Sequence, residues 1–127
     1  MSLQPFAVAP AMGLLAATPL TGVALVNGTP VILTWTAPSD GKMHRVMAFG
    51  SLLVTVLEVG GQVNFSVPIP SPGGTANNPL FNAGQAAGSQ MSFNPGSLVA
   101  PGATVTVNQA SALTGGAAVV WAELWGS

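Results

Sequence analysis

The sequence contains no cysteine and no tyrosine, and its formal charges are confined to Asp40, Lys42, Arg45, Glu58 and Glu123. The missing thiols remove disulfides, thiolate metal sites and cysteine nucleophiles together, and leave the redox compartment open. With two basic residues in the whole chain, the phosphate contacts on which nucleic-acid binding rests have no source. Lys42 and Arg45 flank a turn instead of forming a stripe, so nucleic acid is not an expected partner. No Lys or Arg precedes Lys42, which argues against a secretory leader. The apolar stretch from Phe6 to Val26 is interrupted by Pro10, Gly13 and Pro19, whereas a membrane-spanning helix needs about 20 consecutive, mostly apolar residues. Neither a leader nor a membrane span is expected.

Charged residues make up 4% of the chain, against about 25% in ordinary soluble domains. Apolar residues make up 49%, and there are 16 glycines among 127 residues. A chain of this length forms one domain and buries roughly two-thirds of the surface exposed when unfolded. Its net charge of −1 does little to hold copies apart. Such a surface must be clothed in Ser, Thr, Asn, Gln and Gly, or covered by neighbouring subunits. The crowding of polar residues in the turns and the apolar excess elsewhere suggest that both apply.

Residues 1–18 read as an extended apolar arm, with Pro5, Pro10 and Gly13 breaking any regular pattern and Met12 to Ala17 long enough for one helical turn. Phe6, Val8, Met12, Leu14 and Leu15 are its candidate partner-binding residues, laid along a neighbour or across the domain's own sheet. Residues 19–127 then form a single β-sandwich domain.

Strand signals recur from Thr21 onward. Thr21–Val26 leads into the turn pair Asn27-Gly28. Val31–Ala37 places Val31, Leu33 and Trp35 on one face, and Pro38-Ser39-Asp40-Gly41 closes it. Lys42–Phe49 and Ser51–Glu58 are joined only by Gly50 and form either one long bent strand or two, with Gly50 at a bulge or bend. Gln62–Ile69 alternates Val63, Phe65, Val67 and Ile69 with Gln62, Asn64, Ser66 and Pro68, the proline marking an edge or strand end. Pro70 to Gly88 reads as a long loop anchored by Leu80 and Phe81. Gln90–Phe93, Ser97–Val99, Ala103–Gln109 and Ala117–Trp125 complete a set of short strands without an amphipathic helix. The fold class that follows is all-β, a jelly roll or related antiparallel β-sandwich.

Reaction chemistry finds little support. Glu58 and Glu123 lie far apart in sequence and Asp40 sits in a turn, so no carboxylate pair is indicated. His44 is the single histidine, which gives no metal-ligand spacing; its expected place is the surface or the edge of a hairpin. A Ser-His-Asp set would have to use Asp40, four residues away, and no nucleophile-elbow pattern exists. Pro72-Gly73-Gly74 lacks the lysine and helix of a phosphate loop. No catalytic residue, metal or cofactor is therefore assigned.

Trp121 and Trp125 share a parity with Glu123 on the last strand, which puts them on a partly exposed face. Core packing, a subunit interface and a ligand platform are the three uses open to them. Leu80 and Phe81 join them as candidate interface or ligand-face residues.

The run from Ser97 through Pro101-Gly102 to Thr104-Val105-Thr106-Val107, followed by Gly115-Gly116-Ala117-Ala118-Val119-Val120-Trp121-Ala122-Glu123-Leu124, resembles the closing strands of small jelly-roll proteins of tailed-phage virions. Arg45–Ile69 is similar to the earlier paired strands of such domains, so the likeness spans about 80 residues. It implies a head-decoration (cement) subunit on the virion's capsid surface, made in the host cytoplasm. The implied partners are the major capsid protein lattice and copies of itself, with a trimer favoured. The alternative is a carbohydrate- or host-receptor-binding domain of a phage tail or fibre, using the tryptophans with Asn77, Asn78 and Asn82.

Overall fold

The computed structural model describes residues 12–25, 31–54, 62–69, 73–81, 88, 90–92, 97–109 and 118–126. These are all-β and form two antiparallel sheets. The strands are β1 (Gly13–Ala17), β2 (Val23–Leu25), β3 (Val31–Thr36), β4 (His44–Val54), β5 (Val63–Pro68), β6 (Thr75–Phe81), β7 (Gln90–Ser92), β8 (Ser97–Val99), β9 (Thr104–Gln109) and β10 (Ala118–Gly126). One sheet has the order β1-β10-β4-β7, with β2 also on β10 and β8 also on β4; the other has the order β3-β9-β5-β6. Since β1 and β2 share one flank of β10, and β7 and β8 one flank of β4, each sheet is four rows wide.

Alternation in the sequence explains how the sheets stack. Val105 and Val107 on β9, Val63, Phe65 and Val67 on β5, Val46, Ala48 and Leu52 on β4, and Val120, Ala122 and Leu124 on β10 are all buried. Their period of two puts them on the facing sides of the sheets. Leu15, Ala16, Ile32, Leu33 and Trp35 pack against this core.

Several expectations are corrected. Gly13–Ala17 is a strand and not a helical turn: Gly13 pairs with Gly126 and Ala17 with Glu123, so this part of the segment lies on the domain's own sheet and the sandwich begins before residue 19. Thr75–Phe81 lies within the expected long loop yet pairs with β5. As the outer row of its sheet, β6 can carry Pro79, which would cost a ladder hydrogen bond in a central strand. Pro68 ends β5, but β5 is a central row between β9 and β6.

Of the two readings around Gly50 the single long strand holds: β4 runs unbroken from His44 to Val54. The irregularity comes at Leu53: Val119 pairs with Val54 and Val120 with Leu52, leaving Leu53 as the extra residue. Gly50 instead makes room for the ring of Phe81, since a Cβ there would stand 3.2 Å from Phe81 Cε2 and 3.2 Å from the Trp121 carbonyl oxygen. A second irregularity, between Val31 and Leu33, breaks the expected parity of β3. Leu33 and Trp35 face the core, but Val31 is exposed while Ile32 packs inward. The expected Asn27-Gly28 turn lies outside the described residues.

Candidate functional site

Two outer faces remain once the core is assigned, and they differ in chemistry. On the six-stranded sheet, the outward positions are Met47 and Phe49 on β4 and Val119, Trp121, Glu123 and Trp125 on β10, all half-buried, with Arg45 exposed. The edges add Leu14, 52% exposed, and Leu98, 54% exposed. Pairing fixes their arrangement: Trp125 lies opposite Met47 and also opposite Leu14, Glu123 lies opposite Phe49, and Arg45 opposite Leu98. Phe49 and Trp121 meet edge to face, with centroids 5.4 Å apart at 81°, an orientation that aligns ring edge with ring face. Large apolar side chains thus gather on one side of two central strands. Contiguous exposed apolar surface of this kind marks an interaction site more often than scattered single residues do.

The four-stranded sheet shows the opposite surface. Asn108 Nδ2 donates to Ser66 Oγ at 2.7 Å and to Thr106 Oγ1 at 2.8 Å, and Ser66 Oγ donates to Asn77 Oδ1 at 2.6 Å. Gln62 Nε2 donates to Asn64 Oδ1 at 2.6 Å, and the Thr36 and Thr104 hydroxyls are 2.8 Å apart. These bonds run across β6, β5, β9 and β3, so a face without charged side chains among its described residues satisfies its polar groups internally. Its central positions are well covered, Asn64 being 6% and Ser66 7% exposed, and their side-chain polar groups are met within the face.

A cluster of titratable groups sits at the turn between β3 and β4. Asp40 accepts from the Lys42 backbone N–H at 3.0 Å, and its Oδ1 lies 3.0 Å from His44 Nε2. The Lys42 N–H, and after it His44, hold the Asp40 carboxyl below its ordinary value. His44 is buried rather than at the surface, and Trp35 packs edge to face against it at 5.9 Å. The local Asp-His pair therefore forms, but as a clamp on the turn that carries the chain from one sheet to the other. Among the described residues no group of three His, Asp or Glu side chains is placed to hold a metal.

No family model, curated protein or solved structure matches the chain.

Of the residues singled out from sequence, Trp121, Trp125 and Leu14 come together on the apolar face. Leu15 packs against the core, and Met12 is half-buried just before β1. Phe6 and Val8 lie outside the described residues, as does Asn82. Leu80 and Phe81 are not interface or ligand-face residues: they are 2% and 0% exposed. A register shift in the pairing of β5 with β6, where Val63 faces Phe81 and Asn64 faces Pro79, lets both neighbours turn inward. Met47, Phe49, Leu98 and Arg45 were missed as members of the face. The alternation of Arg45, Met47 and Phe49 with Val46 and Ala48 was the available signal. Among the described residues no helix is long and apolar enough to cross a membrane.

Proposed function

We propose that the chain is a non-enzymatic structural subunit of a virus particle, a decoration protein that attaches to the outer surface of a phage head and associates with copies of itself. Its sandwich, on this reading, is a jelly roll. The supporting feature is row order: with β1/β2 and β7/β8 each counted as one row, the sheets read 1-8-3-6 and 2-7-4-5. Except within the β1/β2 row, the β5–β6 hairpin and the β7/β8 row, the chain crosses between sheets at every connection, as a rolled-up Greek key requires.

The observation that carries the functional reading is the apolar outer face of Met47, Phe49, Trp121, Trp125, Leu14 and Leu98. Such a surface on a domain with 4% charged residues is stable in water when other protein covers it. Repeated copies on a lattice would then gain avidity from individually modest contacts. The shell contact is assigned to the N-terminal segment containing Phe6 and Val8, which joins the domain at Met12 on the edge of the six-stranded sheet.

Co-sedimentation with heads of the virus that encodes the chain tests this. The full chain should bind saturably, and a chain lacking residues 1–11 should stay folded and lose most of its occupancy. Failure of the full chain to bind heads at any concentration refutes the assignment. Saturable binding to immobilised glycans would shift it to a tail or fibre receptor domain.

A further inference from the structure

The apolar face carries two charged side chains among its described residues, Arg45 and Glu123, and their positions are related. Met47 and Trp125 are direct partners across β4 and β10. Arg45 lies two residues from Met47 toward one end of the sheet. Glu123, opposite Phe49, lies two residues from the same level toward the other end. At roughly 3.3 Å per residue, each charge stands about 6.6 Å from a line crossing the strands at the level of Met47 and Trp125.

We infer that this face pairs with the same face of a second copy, about a two-fold axis lying in the interface and crossing the strands at that level. Rotation about such an axis keeps each strand row in place and exchanges the two ends of the sheet. Arg45 of one copy then comes level with Glu123 of the other, one strand row aside, and the exchange occurs twice by symmetry. An axis parallel to the strands leaves Arg45 facing the end of β10 and brings no opposite charges together. The crosswise axis also sets Leu14, Trp125 and Met47 each against its own counterpart, an aromatic and aliphatic centre with charge pairs to either side.

The size is adequate. Nine residues of β10 span about 30 Å, and four rows at about 4.8 Å span about 19 Å. The projected area is thus about 570 Å², and the accessible area of a corrugated face is larger. A standard interface needs about 800 Å² of accessible surface per partner. This pairing rests on the reading of the apolar face as a covered one, and it assigns a second copy as the cover.

The test uses the absence of native cysteine. Leu14→Cys and Leu98→Cys start from nearly equal exposure, 52% and 54%, but Leu14 lies at the axis level and Leu98, opposite Arg45, lies off it. A two-carbon bis-maleimide should link Leu14→Cys chains into dimers and leave Leu98→Cys chains largely unlinked. In sedimentation equilibrium, Arg45→Glu and Glu123→Arg should each weaken self-association by about tenfold or more, and the double reversal should restore it. A wild-type chain that stays monomeric at all attainable concentrations overturns the pairing. Equal cross-linking through Leu98→Cys, or a double reversal no better than the singles, overturns it as well. Binding to heads is read separately, so loss of the pairing leaves the decoration reading to its own experiment.

Discussion

Phe81 and Gly50 offer a sharp test of the packing, because one residue fills the space the other leaves. Phe81 is fully buried, and truncation of a buried Phe to Ala costs about 3–5 kcal/mol. At Gly50, an added methyl would lie 3.2 Å and 3.3 Å from two ring atoms of Phe81 and 3.2 Å from the Trp121 carbonyl oxygen. That carbonyl belongs to the neighbouring central strand, so the ring must move. Overpacking of this kind costs about 1–3 kcal/mol, while replacing Gly in a strand recovers about 0.5–1 kcal/mol. Gly50→Ala alone should therefore destabilise by about 1 kcal/mol. With Phe81→Ala already present, two of the three close contacts vanish and the methyl enters vacated space. The double variant should then be more stable than the sum of the singles by about 1 kcal/mol or more. Urea unfolding of the four proteins, with constant m-values, measures the coupling. Strict additivity, or a loss below about 1 kcal/mol for Phe81→Ala, would refute the packing described.

Gln109 is 8% exposed, and among the described residues neither its amide nitrogen nor its amide oxygen has a hydrogen-bond partner. Gln109→Leu should raise stability by about 1–3 kcal/mol in urea unfolding, and a destabilised variant would show that the amide is satisfied in solution. Thr18 Oγ1 donates to the Ala122 carbonyl at 3.3 Å and accepts from the Ala122 N–H at 3.0 Å. Thr18→Val keeps the shape, strips both bonds and should cost about 1–3 kcal/mol by thermal melting; an unchanged melting temperature would contradict the clamp. Asp40 has its carboxyl pKa lowered on folding. Its contribution is therefore fully present above the ordinary carboxylate value and is lost as pH falls through the depressed folded one. Asp40→Asn should flatten the acid limb of the stability profile measured by urea unfolding at a series of pH values, and an unchanged acid limb would refute the contribution.

Legibility in the sequence followed the source of each strand's stability. Val63–Pro68 and Thr104–Gln109 alternate because each has its own apolar face to bury, so both could be found locally. Gly41 and Gly102 adopt positive φ, 74° and 78°, in the turns where Pro38-Ser39-Asp40-Gly41 and Pro101-Gly102 had placed them. Gly13–Ala17 has no alternation, and what makes it a strand is the ladder offered by β10, more than a hundred residues later. Thr75–Phe81 is composed like a loop and becomes a strand through pairing with β5. The same distinction governs the site. The shared parity of Trp121, Glu123 and Trp125 pointed to an outer face, and the alternation of Met47 and Phe49 with Val46 and Ala48 carried the same local signal, whereas Leu14 and Leu98 joined that face through register between distant segments.

The last described strand is also an interior one. β10 lies against β1, β2 and β4, so their sheet cannot close while residues 118–126 remain inside the ribosome. Until then, its apolar edges stand open in a crowded cell, and interstrand contacts of long sequence separation close slowly. Synthesis rate, chaperone capture and the concentration of nascent chains should consequently govern the yield of native protein more than its final stability does.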